Sequence, residues 1–204
     1  MSADPRADQH LLSAARDGDT DAVRAALAAG ADTETRDARR RTPLLLAVTN
    51  DHVPAIRALV EAGADADALD DRHDTPWLVT GVTGSVDAMR ALLPAKPDLT
   101  IRNRFGGISV IPASERGHAA YVKAVLEETE INVDHVNDLG WTGLLEAVIL
   151  GRGTEPWQDI VRTEIAHGAQ VNLADREGVT PLAHAENRGY TAIAEILRDA
   201  GGHR

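Results

Sequence analysis

The sequence predicts an all-α fold, a solenoid of six stacked helix pairs, on three observations. The first is a repeat: Thr42-Pro43-Leu44, Thr75-Pro76-Trp77, Ile108-Ser109-Val110, Thr142-Gly143-Leu144 and Thr180-Pro181-Leu182 recur at spacings of 33, 33, 34 and 38 residues. The second is an independent landmark that keeps the same period. Gly63-Ala64-Asp65 follows Thr42 by 21 residues, Gly201-Gly202 follows Thr180 by 21, and Gly30-Ala31-Asp32 precedes Gly63 by 33. The third is side-chain size: 34 Ala and 17 Gly against six aromatics in 204 residues. Such a core needs helices in close contact, whereas sandwiches and barrels are usually filled by larger side chains. One helix pair cannot bury its own apolar side, so neighbouring copies must stack.

Each copy can be justified in order. Residues 1–6 read as a tail. The first copy, about 7–35, is degenerate: Gln9-His10-Leu11 stands 33 residues before Thr42. In the second, 36–69, Thr42 and Pro43 read as helix cap and first helical residue, because the hydroxyl accepts an orphan N–H and Pro loses nothing there. Leu44–Val48 then gives a short helix, Asn50-Asp51-His52 a turn, and Val53, Ile56, Leu59 and Val60 an apolar face at helical spacing. Gly63 supplies a left-handed C-terminal cap. The third copy, 70–102, repeats this with Trp77 where Leu is expected, and with Val86, Met89, Leu92 and Leu93. The fourth, 103–136, has Ser109 in place of Pro and Pro112 inside its first helix. The fifth, 137–174, carries five extra residues, Arg152 to Pro156, before Trp157, and ends at Gly168-Ala169. The sixth, 175–204, returns to Thr180-Pro181-Leu182.

This pattern resembles the ankyrin repeat, whose Thr-Pro-Leu-His-x-Ala signature at a period of 33 it shares in degenerate form. The matches include Asn103-Arg104-Phe105-Gly106-Gly107 with Ala113-Ser114-Glu115-Arg116-Gly117-His118, and Glu177-Gly178-Val179-Thr180-Pro181-Leu182-Ala183-His184-Ala185. The resemblance spans about residues 7–202. It departs where the family has His after Leu, here Leu45, Leu78, Ile111, Leu145 and Ala183. It implies an ankyrin-like helical repeat solenoid with short β-turn or hairpin fingers between copies, in a single domain over 7–204. It further implies a stand-alone, non-enzymatic module that binds a protein partner on its concave finger and first-helix surface.

Composition narrows the classes of function. There is no Cys, which excludes disulfides, thiolate metal sites and cysteine nucleophiles. A net charge of −11 disfavours nucleic acid and anionic membrane surfaces as partners. The first residues show no apolar run of the secretory type, so cytoplasmic residence is expected. Nineteen Arg against two Lys fits GC-rich bacterial coding. The acid cluster Asp65, Asp67, Asp70, Asp71 and Asp74 does not fit a calcium loop, because Asp70 and Pro76 stand where Gly and Glu are needed. Eight scattered His show no helical zinc spacing, and no nucleophile elbow surrounds Ser109. No catalytic residue, cofactor or metal is expected.

What remains is a surface. By repeat position, the finger tips carry Arg39 and Arg41, then Arg72, then Arg104 and Phe105, then Leu139 and Trp141. The first helices add Glu115 and Arg116, Glu146 and Ile149. Aromatic and Arg side chains are the types enriched at binding hot spots, so the expected partner has an apolar patch with an acidic flank. Glu146 stands where other copies have Leu46, Val79, Pro112 and His184. It reads as a partly exposed carboxylate paired to a neighbouring Arg, or as a groove residue for a basic ligand. The second option would make the chain a regulatory subunit that binds a peptide or small ligand to control an enzyme. Trp141 and Phe105 could instead fold back on a neighbouring finger, and the insertion before Trp157 reads either as a contact site or as a plug.

Overall fold

A computed structural model describes residues 5–204 of the chain. Twelve α-helices and no strand occur among them: α1 (Pro5–Asp17), α2 (Thr20–Ala28), α3 (Pro43–Thr49), α4 (Val53–Glu61), α5 (Pro76–Thr83), α6 (Val86–Leu92), α7 (Val110–Arg116), α8 (Ala119–Glu128), α9 (Gly143–Ile149), α10 (Glu155–Ala166), α11 (Pro181–Asn187) and α12 (Thr191–Asp199). The fold is therefore all-α, with six helix pairs. Residues 1–4 of the expected tail lie outside the described residues, and Pro5 already opens α1.

The Thr caps form as the repeat suggests. Thr42, Thr75, Thr142 and Thr180 have extended backbones, and their Oγ1 atoms accept the N–H of Leu45, Leu78, Leu145 and Ala183 at 3.1, 3.1, 3.2 and 3.2 Å. Each such cap contributes about 1 kcal/mol. Copy four differs because Ser109 is already helical (φ −57°) and makes no cap bond. Pro112 is tolerated in α7 because it is the third residue, where no N–H yet has an intrahelical partner.

The glycine stops also form. Gly30, Gly63, Gly168 and Gly201 have φ of 87, 86, 90 and 86°. An added Cβ there would meet nothing within 4 Å, so the left-handed backbone itself selects Gly. The following N–H reaches back into the helix, as in Ala64 N to Leu59 O at 3.0 Å. The polar stretches after these stops have a repeating task. Carboxylates or amides of one copy accept a backbone N–H of the next: Glu34 from Asp65, Asp67 from Asp98, Asp134 from Gln170 and Asn172 from His203, at 2.8–2.9 Å, and within copy one Asp8 accepts from Asp32 at 2.8 Å.

The repeat array divides into two compact units, Met1–Arg104 and Phe105–Arg204. In the first, α1, α3 and α5 pack in one row and α2, α4 and α6 in a second. Leu44–Val48, Ile56, Leu59, Trp77 and Met89 are buried between the rows. The second unit is built alike, with α7, α9 and α11 in one row and α8, α10 and α12 in the other. Its core holds Val110, Tyr121, Val122, Leu144, Leu145, Ile160 and Leu197. Alanines at the contacts, such as Ala55, Ala113, Ala147 and Ala185, have no exposed surface.

Candidate interaction surface

The fingers of copies two, three, five and six are five-residue turns built on the first side chain. Asp37 Oδ1 accepts the N–H of Arg39 and Arg41 at 2.9 and 3.0 Å, and Asp70 Oδ1 those of Arg72 and Asp74 at 2.8 and 2.9 Å. Asn137 Oδ1 takes Leu139 and Trp141, both at 3.0 Å, and Asp175 Oδ1 takes Glu177 and Val179 at 3.1 and 2.8 Å. The first residue's N–H also donates to the fifth residue's carbonyl, as from Asn137 to Trp141 at 3.0 Å. These are closed turns too short to count as strands. The fourth residue has positive φ (Arg40 59°, His73 62°, Gly106 73°, Gly140 84°, Gly178 78°), which turns the second and third residues outward.

In the first unit, the finger arginines divide into two kinds. Arg39 and Arg72 are exposed at the tips. Arg41 instead folds back, with Nε and Nη2 donating to Asp37 Oδ2 at 2.9 and 2.7 Å. Burial opposes ionisation of Asp37, but those bonds and the backbone N–H groups outweigh it, holding the carboxyl below its usual range. Arg104 lies 3.8 Å from Asp74, whose carboxyl is raised by burial and by Asp70. The acid cluster resolves into the same finger scaffolding, since Asp65, Asp67 and Asp70 each accept backbone N–H groups.

The second unit carries the apolar tips. Phe105 is 54% exposed and Leu139 51%, while Trp141 is half-buried. Phe105 O accepts the N–H of Asp138 at 3.0 Å, so these two fingers are joined at their tips. Glu115 and Arg116 pair at 3.2 Å at the end of α7. Two predicted surface residues lie inward. Ile149 is 8% exposed, and the apolar residue at the open end of α9 is Leu150, at 47%. Glu146 is 4% exposed and is paired not to an Arg but to Asn137, whose Nδ2 donates to Oε1 at 2.8 Å. Burial, with the Glu115 charge adding and the Asn137 bond and Arg116 opposing, pushes its carboxyl up to about 7.

The insertion is a plug. Gly151–Thr154 forms a loop, and the remaining extra residues lengthen α10 to 12 residues. Trp157 is 9% exposed, and its Nε1 donates to Glu115 O at 3.1 Å. Its ring lies against Gly117, where a Cβ would come within 2.9 Å, and beneath the Arg152 guanidinium at 5.8 Å. Tyr190 Oη donates to Gly151 O at 2.9 Å and closes the loop from the next copy.

Sequence reasoning missed Glu164. It is fully buried on α10, with Oε1 accepting from Ser114 Oγ at 2.8 Å and Oε2 unpaired. Burial pushes its carboxyl up to about 8, against the Ser114 bond and with the charge of Asp134 adding. Two signals were present in the chain. Glu164 continues the apolar spacing of Trp157, Ile160 and Val161, and Gly143 replaces the usual Pro because a Cβ there would lie 2.5 Å from Glu164 Oε1.

The architecture has close counterparts. The family model for ankyrin repeats (three copies) matches residues 11–103. The chain is 42% identical over 190 residues to the putative ankyrin repeat protein YahD of Escherichia coli K12, covering 93% of this chain and 94% of that one. Among solved structures, an ankyrin repeat domain from Acinetobacter baumannii AYE superposes with a TM-score of 0.90 at 41% identity, covering 95% of this chain and 98% of that one. The ankyrin repeat domain of Bcl-3, a member of the IkappaB family, gives 0.85 at 28% identity, covering 95% and 86%. Ankyrin repeats are a general protein–protein interaction module. The chain belongs to the ankyrin repeat family.

Proposed function

We propose that this protein is a non-enzymatic binding module that captures a protein partner on its finger tips, with Phe105, Leu139 and Trp141 as the apolar anchor. The observation that carries this reading is the exposure of Phe105 and Leu139 on two joined fingers, at positions where short turns normally present polar residues. Covering an exposed side chain of this size contributes about 1.5–3 kcal/mol. The finger scaffold supports the same reading, because the turns are pre-set by their Asp and Asn bonds and little ordering is required on binding. The partner has an apolar patch with an acidic flank that meets an exposed arginine of the same unit, Arg176, whose side chain lies against the finger 137–141 at Gly140. With a net charge of −11, neither nucleic acid nor an anionic membrane is its counterpart. Binding of a basic small ligand at Glu146 has less support, since that carboxylate is already bonded to Asn137.

The test compares capture from a lysate of the source cells by wild type and by a Phe105→Ala/Trp141→Ala double variant, after matching their melting temperatures. The reading expects a discrete protein retained by wild type and lost by the variant. Equal capture by the two would move the site elsewhere on the chain.

A further inference from the structure

Glu146 and its counterparts form a pattern across the copies. In copy five, the first finger residue and the first-helix residue nine positions later are Asn137 and Glu146, bonded at 2.8 Å. In copy six the same two positions hold Asp175 and His184, in contact at 2.7 Å. In copies two and three the two positions hold Asp37 with Leu46 and Asp70 with Val79, an acid and an apolar residue, and in copy four Asn103, which is half-buried, with Pro112. The difference is chemical. An Asp receives both finger N–H groups on one carboxylate oxygen and presents no N–H of its own, its second oxygen taking a donor such as Arg41 or His184 where one is near. An Asn receives them on Oδ1, which turns its Nδ2 inward, and a buried amide N–H without an acceptor costs about 1–3 kcal/mol. Asn137 is 5% exposed, and the acceptor it finds is Glu146.

We propose that Glu146 is the positioning residue of the finger 137–141: through Asn137 it sets how firmly the backbone carrying Leu139 and Trp141 is held, and its ionisation tightens that hold. The chain of bonds is continuous, from Glu146 Oε1 to Asn137 Nδ2 at 2.8 Å and from Asn137 Oδ1 to the N–H groups of Leu139 and Trp141 at 3.0 Å. A charged acceptor makes roughly twice as strong a bond as a neutral one. The charged groups that face Glu146 are Glu115 and Arg116 on α7. On the other helices packed against α9, Glu164 of α10 turns to Ser114 and His184 of α11 to Asp175. Burial and the Glu115 charge place the titration of Glu146 close to neutral pH. The finger's role as a docking surface rests on the function proposed above, whereas its positioning by Glu146 is measured without a partner.

The experiment is amide hydrogen exchange by NMR at Leu139 and Trp141, corrected for intrinsic rates, from about pH 5.5 to about pH 8.5, around the ordinary and raised carboxyl range. Arg72 and Asp74, on a finger whose helix residue is Val79, serve as the reference within the same molecule. Protection at Leu139 and Trp141 is expected to rise about tenfold relative to that reference, with a midpoint near neutral. Glu146→Gln keeps the bond to Asn137 but abolishes the rise. Glu146→Leu lowers protection at every pH, and Asn137→Asp/Glu146→Leu, which copies the pairing of copies two and three, restores it without pH dependence. A wild type flat with pH, a Glu146→Gln variant that keeps the rise, or a double variant no better than Glu146→Leu would each overturn the proposal. Should Glu146→Leu fail to fold, the wild-type and Glu146→Gln profiles decide the matter. Loss or survival of partner capture does not enter this readout.

Discussion

The two units share an architecture but not a core. The helices of the first unit bury aliphatic, aromatic and hydroxyl side chains, and among its described residues the one buried carboxylate, Asp70, belongs to a finger and is satisfied by backbone N–H groups. The second unit buries Glu146 on α9 and Glu164 on α10, and Glu164 keeps one oxygen unpaired. The repeat period therefore sets where helices lie without setting what their interiors contain. An apolar interior is indifferent to pH, while an interior with raised carboxyls is not.

The largest expected effect follows from that contrast. A carboxyl raised in the folded state contributes stability that is fully present below its unfolded value, near 4.5, and is lost as pH rises through the folded value. For Glu164, raised to about 8, the loss falls between about pH 4.5 and pH 8 and reaches roughly 4–5 kcal/mol. Glu146, raised to about 7, acts in the same direction. The stability of the second unit against denaturant should fall over this range, and Glu164→Gln should remove most of the slope and be the more stable form at alkaline pH. The first unit, followed by exchange at its core amides, should change far less. Equal pH slopes in the two halves would break the comparison.

Next in size is Gly143→Ala. The new methyl would sit 2.5 Å from Glu164 Oε1 and 3.2 Å from Ser114 Oγ, costing about 1–3 kcal/mol by overpacking. In a Glu164→Ala background the same change should cost little, and additive effects in denaturant titrations would contradict the contact. Smaller again, Thr75→Ala and Thr142→Ala should each cost about 1 kcal/mol, one per unit, because their caps have the same geometry. A clear inequality would show that the scaffold, and not only the interior, differs between the halves. The smallest effect belongs to Phe105→Ala, which should shift stability by no more than about 0.5 kcal/mol while removing binding.

The sequence made the scaffold legible because its elements are local. Thr before Pro, Gly at the left-handed stop and apolar spacing of 3.6 depend on neighbours within a few residues. The positions of the fingers were legible for the same reason, but whether Phe105 and Trp141 point outward or fold back on a neighbouring finger was not, because that depends on contacts between copies. Ile149 and Glu146 were misplaced because their burial depends on which side of α9 faces the adjoining helices and the finger base, information that a repeat alignment does not carry. Glu164 was missed because its partner Ser114 is 50 residues away, and the clue at Gly143 makes sense only once both are seen together. Trp157 could be read as plug or contact until the loop around it was seen to close on Glu115 and Tyr190.

The most direct test of the binding account is site-specific photo-crosslinking in the source cells. A photoreactive side chain would replace Phe105 or Leu139 in turn, with the exposed Val82 at the end of α5 as the control position in the first unit. The account predicts one discrete protein adduct of the same mass from positions 105 and 139, and none from 82. An adduct from position 82, or none from 105 and 139 in a folded protein, would contradict it.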